Sequence, residues 1–184
     1  MRVGLMFVML FISAVPALFA SDQVREGRMA AEIEEVVLVG QTVQLEADGV
    51  SFLGILTEET TSFTQGAAII LHGRGAHPDW MDVVYPLRSQ LPDYGWKTLS
   101  IQMPIASADA EDWVYAALIP EAFPRITAAI NYLRQQRVSN IVLIGHSLGA
   151  HMGVAYLAQQ PKAVRAFVSI GLSADKGRPE EGVL

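Results

Sequence analysis

The chain has 184 residues, 51% of them hydrophobic and 17% charged, a balance that suits one packed domain and argues against intrinsic disorder. Its 13 Lys and Arg stand against 19 Asp and Glu, a formal charge of -6 with no basic stripe, so nucleic-acid binding has no electrostatic footprint. The absence of cysteine excludes a disulfide framework, a thiolate metal site and a lipid-modified N-terminal cysteine.

The first twenty residues differ in kind from the rest. Arg2 supplies a positive start, Gly4 to Ala20 run without a charge, and small residues recur at Ala14, Ala17 and Ala20 before the polar Ser21 and Asp22. That is the layout of a secretory signal peptide over residues 1–20, with small-residue exits at Val15-Pro16-Ala17 and at Leu18-Phe19-Ala20. Export to a periplasm follows as the expectation. The alternative is a retained inner-membrane anchor, although the run falls short of the roughly 20 residues a span needs and Pro16 interrupts it. Contact with a membrane is expected only through this segment if it stays uncleaved.

Residues 21–42 form a lead-in, and the stretch from Ser21 to Glu35 reads as a short helix or a loose connection. From residue 43 the pattern is that of an α/β domain. Val43 and Leu45, then Phe52, Leu53, Ile55 and Leu56, suggest two strands joined at Asp48-Gly49, a strong hairpin signal. Ala67 to Leu71 is a short apolar run that reads as a fully buried strand. Val83 to Leu91 has helical spacing, in which Pro86 is tolerable only in the first turn. Thr98 to Met103 reads as a strand, Pro120 to Gln136 as a helix with one apolar face, Ile141 to Ile144 as a strand, Leu148 to Gln159 as a helix and Val164 to Ile170 as a last strand. A hairpin followed by alternating strands and helices predicts a mostly parallel sheet covered on both faces.

Gly145-His146-Ser147-Leu148-Gly149 matches G-x-S-x-G between an apolar strand and a helix-compatible segment, the setting of a nucleophile elbow. A sharp strand-to-helix turn brings backbones close, so side chains at Gly145 and Gly149 would collide, and it lifts the Ser147 hydroxyl to the carboxyl end of the sheet. It also sets the nucleophile at a helix N-terminus, whose amides favour a developing oxyanion. His72-Gly73-Arg74-Gly75 ends a buried strand, where such folds place the second oxyanion-hole amide. The amides of Arg74 and Leu148 are therefore the candidate pair. The plain alternatives are a tight turn with an incidental serine and a glycine turn after a strand.

The stretch from about Val43 to Leu172 resembles the α/β-hydrolase fold from its first strand to its sixth. The blocks Leu71 to Trp80, Leu99 to Pro104 and Gly145 to Ala150 are similar to a bacterial family of unknown function, DUF3530, grouped with those hydrolases. The resemblance implies the fold and a serine hydrolase of the esterase or lipase type, acting on a small-molecule acyl substrate without a cofactor. It implies no particular substrate.

A serine hydroxyl needs a base to take its proton, and in this fold the acid and then the histidine follow the serine in the chain. After Ser147 the only histidine is His151, four residues on in the expected helix, where it reads as a packing or surface residue. Asp175, just past the last strand, is a candidate acid, while Glu180 and Glu181 read as a solvated tail. The pairs His72/His77 and His146/His151 are five apart rather than four, so no zinc-binding helix is expected. Residues 43–184 accordingly read as a partial hydrolase domain without the final strands, and a non-catalytic exported binding module is the competing function. The loop from Pro104 to Pro120, with Asp109, Glu111, Asp112, Trp113 and Tyr115, is either a source of substrate contacts or a solvated connection.

Overall fold

In the computed structural model, residues 20–172 are described. The expected leader, Ala20 apart, lies outside them, as do Asp175, Glu180 and Glu181. The lead-in takes the helical option. Asp22 caps helix α1 (Gln23–Val36) by accepting from the Arg25 amide at 2.9 Å, and Glu26 sits favourably in its first turn. Ile33 of this helix packs against Leu53 and Ile55.

Strands β1 (Gln41–Ala47) and β2 (Val50–Thr57) form the expected hairpin. Asp48 and Gly49, the two turn residues, have φ of 50° and 79°, the left-handed pair that a two-residue turn of matching twist demands. The remaining strands are β3 (Gly66–Leu71), β4 (Trp96–Ile101), β5 (Ile141–His146) and β6 (Ala166–Ile170). They complete a six-stranded sheet of order β1-β2-β4-β3-β5-β6, in which β2 meets β4 antiparallel and β3, β4, β5 and β6 run parallel.

Side-chain alternation shows why this sheet is covered on both faces. Ala67, Ile69 and Leu71 of β3 enter one core with Leu118, Ile126 and Leu133 of helix α3 (Val114–Gln135) and Met152 of helix α4 (Leu148–Gln159). Ala68 and Ile70, pointing the other way, join Val84 of helix α2 (Val84–Gln90) and Ile144 of β5. A strand buried on both faces has no polar alternation, which is the pattern its sequence carries.

Two expectations need correction. Helix α3 starts at Val114 rather than Pro120, with Pro120 and Pro124 inside it. Proline removes an amide donor and normally ends a helix, but here the fully buried Leu118 extends the apolar stripe one turn upstream and tertiary packing overrides the local signal. The last strand begins at Ala166 rather than Val164; among the described residues it is the outermost strand beside β5, with Val168 about half exposed.

Two buried ion pairs fix the periphery. Arg125 of α3 holds the Glu26 carboxylate at 2.8 Å, tying α1 to the layer beneath. Arg88 of α2, fully buried, donates from Nε to Asp79 at 2.8 Å, with a second contact from Nη2, and from Nη1 to the Val39 carbonyl at 2.6 Å.

Candidate active site

The elbow forms where β5 passes into α4. Ser147 has φ 50° and ψ -118°, a conformation that side-chain-bearing residues rarely adopt and that surrounding structure must enforce. Its amide donates to the Ile170 carbonyl at 2.9 Å, and its carbonyl accepts from the amides of Ala150 and His151 at 2.9 and 3.2 Å. Glycine is required on either side for want of space. A Cβ on Gly145 would lie 2.6 Å from Ala150 Cα, and one on Gly149 would lie 2.6 Å from the Leu71 carbonyl oxygen.

The second contact brings the two predicted segments together. Gly149 rests on the backbone at the end of β3, and a Cβ on Gly73 would meet Ser147 Cβ at 3.1 Å. The loop from His72 to Gly75 therefore lies against the elbow, at the carboxyl ends of β3 and β5. Arg74 follows Gly73 directly, Gly75 turns the chain with φ 65°, and Leu148, as the first residue of α4, has an amide with no intrahelical acceptor. Replacing Gly149 by alanine drives a methyl into backbone that has no rotamer to yield. A loss on the order of 1–3 kcal/mol is expected, read as a lowered Tm. Gly27→Ala, on an exposed face of α1 with nothing within 4 Å of the added methyl, should instead leave Tm unchanged or raise it.

His72 is a brace rather than a reacting group. It is buried, its Nε2 accepts from the Met103 amide at 2.9 Å, and its Nδ1 lies 2.9 Å from the Gly73 carbonyl. Acceptance at Nε2 puts the proton on Nδ1, which donates to Gly73 and fixes the loop to the end of β4. Burial pushes this imidazole down to about 3. Because the folded value lies below the unfolded one, its contribution to stability is present above about pH 6.5 and is lost as pH falls from there toward 3, by up to about 1.4 kcal/mol per unit. Urea denaturation across that range should show the loss in the parent. A His72→Phe variant should be weaker at pH 7 but have a shallower dependence.

The other histidines of the described residues make no hydrogen bond to the serine hydroxyl either. His77 Nδ1 accepts from the Asp79 amide at 3.2 Å, and its ring meets Trp80 edge-on with centroids 5.4 Å apart. His146 lies beside Gly73, with its buried Nδ1 unpartnered among the described residues, and His151 sits on α4. Among the described residues, Ser147 Oγ makes no hydrogen bond to a histidine. No group of three His, Asp or Glu among them is placed to hold a metal ion, and no helix among them is long and apolar enough to cross a membrane.

One link escaped the sequence. The Arg74 guanidinium pairs with Asp112 at 2.8 Å and lies 3.8 Å over the Tyr115 ring, which joins the loop after β3 to the start of α3. The acids and aromatics between residues 109 and 115 were visible, but nothing in their spacing named Arg74 as their partner.

The model of a family described as a protein of unknown function, DUF3530, matches residues 23–117 and 106–177. No curated protein matches the chain. Among solved structures, Est1E from Butyrivibrio proteoclasticus is similar with a TM-score of 0.55 and 20% identity, over 68% of this chain and 49% of that one. XC6422 from Xanthomonas campestris, described as an α/β serine hydrolase without a lid, aligns with a TM-score of 0.60 and 15% identity over 79% of this chain and 67% of that one. An α/β serine hydrolase homologue from Coxiella burnetii aligns with a TM-score of 0.55 and 16% identity, over 73% and 64%. At such identities the likeness is one of fold, and the chain spans about half the length of Est1E.

Proposed function

Since this chain belongs to the DUF3530 family and has the α/β-hydrolase fold, we propose that it carries the nucleophile half of a serine hydrolase acting on small-molecule esters or related acyl compounds. The observation that supports this most is the backbone of Ser147, held at φ 50° on a strand-to-helix turn against the loop after β3. A turn that merely reverses the chain needs no strained serine there.

In this reading Ser147 Oγ attacks the substrate carbonyl carbon while a base takes its proton. The amides of Arg74 and Leu148 hold the oxyanion, and the protonated base delivers the proton to the departing alkoxide. Water then releases the acid from the acyl-serine by the same steps. The reading requires a base and an acid from outside residues 20–172, since no histidine within that range hydrogen-bonds the Ser147 hydroxyl. Asp175 is the acid candidate. That same lack of a histidine on Ser147 favours a second reading, a non-catalytic binding module.

A fluorophosphonate probe separates the two. The protein as its gene encodes it, with whatever sequence follows residue 184, should be labelled at Ser147, and Ser147→Ala should abolish the label. A properly folded protein that resists the probe would leave the binding module as the surviving reading.

A further inference from the structure

Helix α1 enters the fold through a small charged cluster. The amides of Ala20 and Ser21 both point at the Glu121 carboxylate, at 2.5 Å from Oε1 and 3.3 Å from Oε2. Ser21 itself is 9% exposed. Beside it the buried Glu26 carboxylate accepts from the Ile105 amide at 3.0 Å and pairs with Arg125. Burial raises the Glu26 pKa against the opposing pull of Arg125, and the nearby charge of Glu121 raises it further. Asp22 and Arg25 also face this corner, the first capping α1 and the second donating to the Ala106 carbonyl at 2.8 Å.

Charge counting leaves one group short. Asp22 and Arg25 offset each other, and Arg125 offsets one of the two carboxylates of Glu26 and Glu121. Among the described residues the partly buried Glu121 carboxylate receives only neutral amides and lacks the cation such a site favours. The small-residue exit Leu18-Phe19-Ala20 ends at this point in the chain.

We propose that Glu121 is the receptor for a mature amino terminus at Ser21, made by removal of residues 1–20. Hydrolysis of the Ala20–Ser21 peptide bond by a leader-removing endopeptidase consumes one water and leaves a carboxylate on Ala20 and an ammonium on Ser21. The leader departs with the Ala20 carboxylate. The new ammonium stays within hydrogen-bonding reach of Glu121 and brings the cluster to neutrality. Processing thus exchanges the two neutral amide bonds from Ala20 and Ser21 for a charge-assisted one, as well as releasing the leader. The inference is independent of any hydrolytic activity.

The test has two arms. N-terminal sequencing of the exported protein should give Ser21. A start at Leu18, or intact Met1 only, would overturn the proposal. Protein made with Ser21 as a free amino end is then compared with protein that keeps Phe19 and Ala20, each with Glu121 and with Glu121→Gln. The free end should lower the unfolding equilibrium constant roughly tenfold when Glu121 is present and have little effect in Glu121→Gln. This advantage should hold below about pH 8 and fade as pH rises through the raised value of the paired ammonium. Equal effects of the free end with and without Glu121, or no effect at any pH, would also overturn it.

Discussion

Ser147→Ala is expected to lower kcat for p-nitrophenyl ester hydrolysis by on the order of 10⁴–10⁶ in the protein that carries its base, with KM little changed. A loss that large follows from the proposed role, in which the hydroxyl forms the acyl intermediate. Arg74→Ala should cost far less, since the amide assigned to the oxyanion belongs to the backbone and survives the change. What Arg74→Ala removes is the pairing with Asp112 and the stacking on Tyr115. Residues 1–184 alone should turn over slowly, because an unassisted serine stays protonated at neutral pH. Steady-state kinetics on these four proteins would settle the point. Undiminished turnover by Ser147→Ala would remove the nucleophile assignment, and brisk Ser147-dependent turnover by the short chain would make His151 the first residue to replace.

Arg88→Met is expected to destabilise the fold by about 3–5 kcal/mol, measured by chemical denaturation. The guanidinium is fully buried, and its removal strands the Asp79 carboxylate, itself only 15% exposed, without a counter-charge. It also orphans the Val39 carbonyl. The double variant Arg88→Met with Asp79→Leu should recover much of the loss, because an apolar pair has no charge to desolvate. A single variant within 1 kcal/mol of the parent would show that water reaches Asp79 and that the pair adds little. The pair matters beyond stability, for Asp79 lies in the loop that begins at His72. Pro78 of that loop is held by Ser100 Oγ at 2.7 Å.

The core elements were legible because burial writes itself into period. Uninterrupted apolar runs at 67–71 and 141–144 signalled strands covered on both faces, and Asp48-Gly49 named its own turn. The elbow was legible because the tight approach of backbones leaves room only for glycine. What escaped were features set by tertiary contact between distant residues. Nothing local tells that Pro120 lies within a helix, since the burial of Leu118 decides it. Nothing local pairs Glu26 with Arg125 or Arg88 with Asp79 across 99 and 9 positions, because charged residues usually face water. His72 illustrates the same limit. Its place in a glycine-rich loop suggested proximity to chemistry, whereas its two ring nitrogens are occupied in holding that loop.

The contact of Gly149 with the Leu71 backbone has a consequence for how the molecule assembles. The two residues are roughly 80 positions apart, and closing a loop of that size costs about 4 kcal/mol of chain entropy before any contact across it contributes. The β1–β2 hairpin closes over two residues and can form early, but it lies at the far edge of the sheet. The serine acquires its geometry only when β5 has seated against β3 and that entropy has been recovered from the core. A nascent or partly unfolded chain therefore carries the motif without its strained shape, and the turn is a property of the finished sheet.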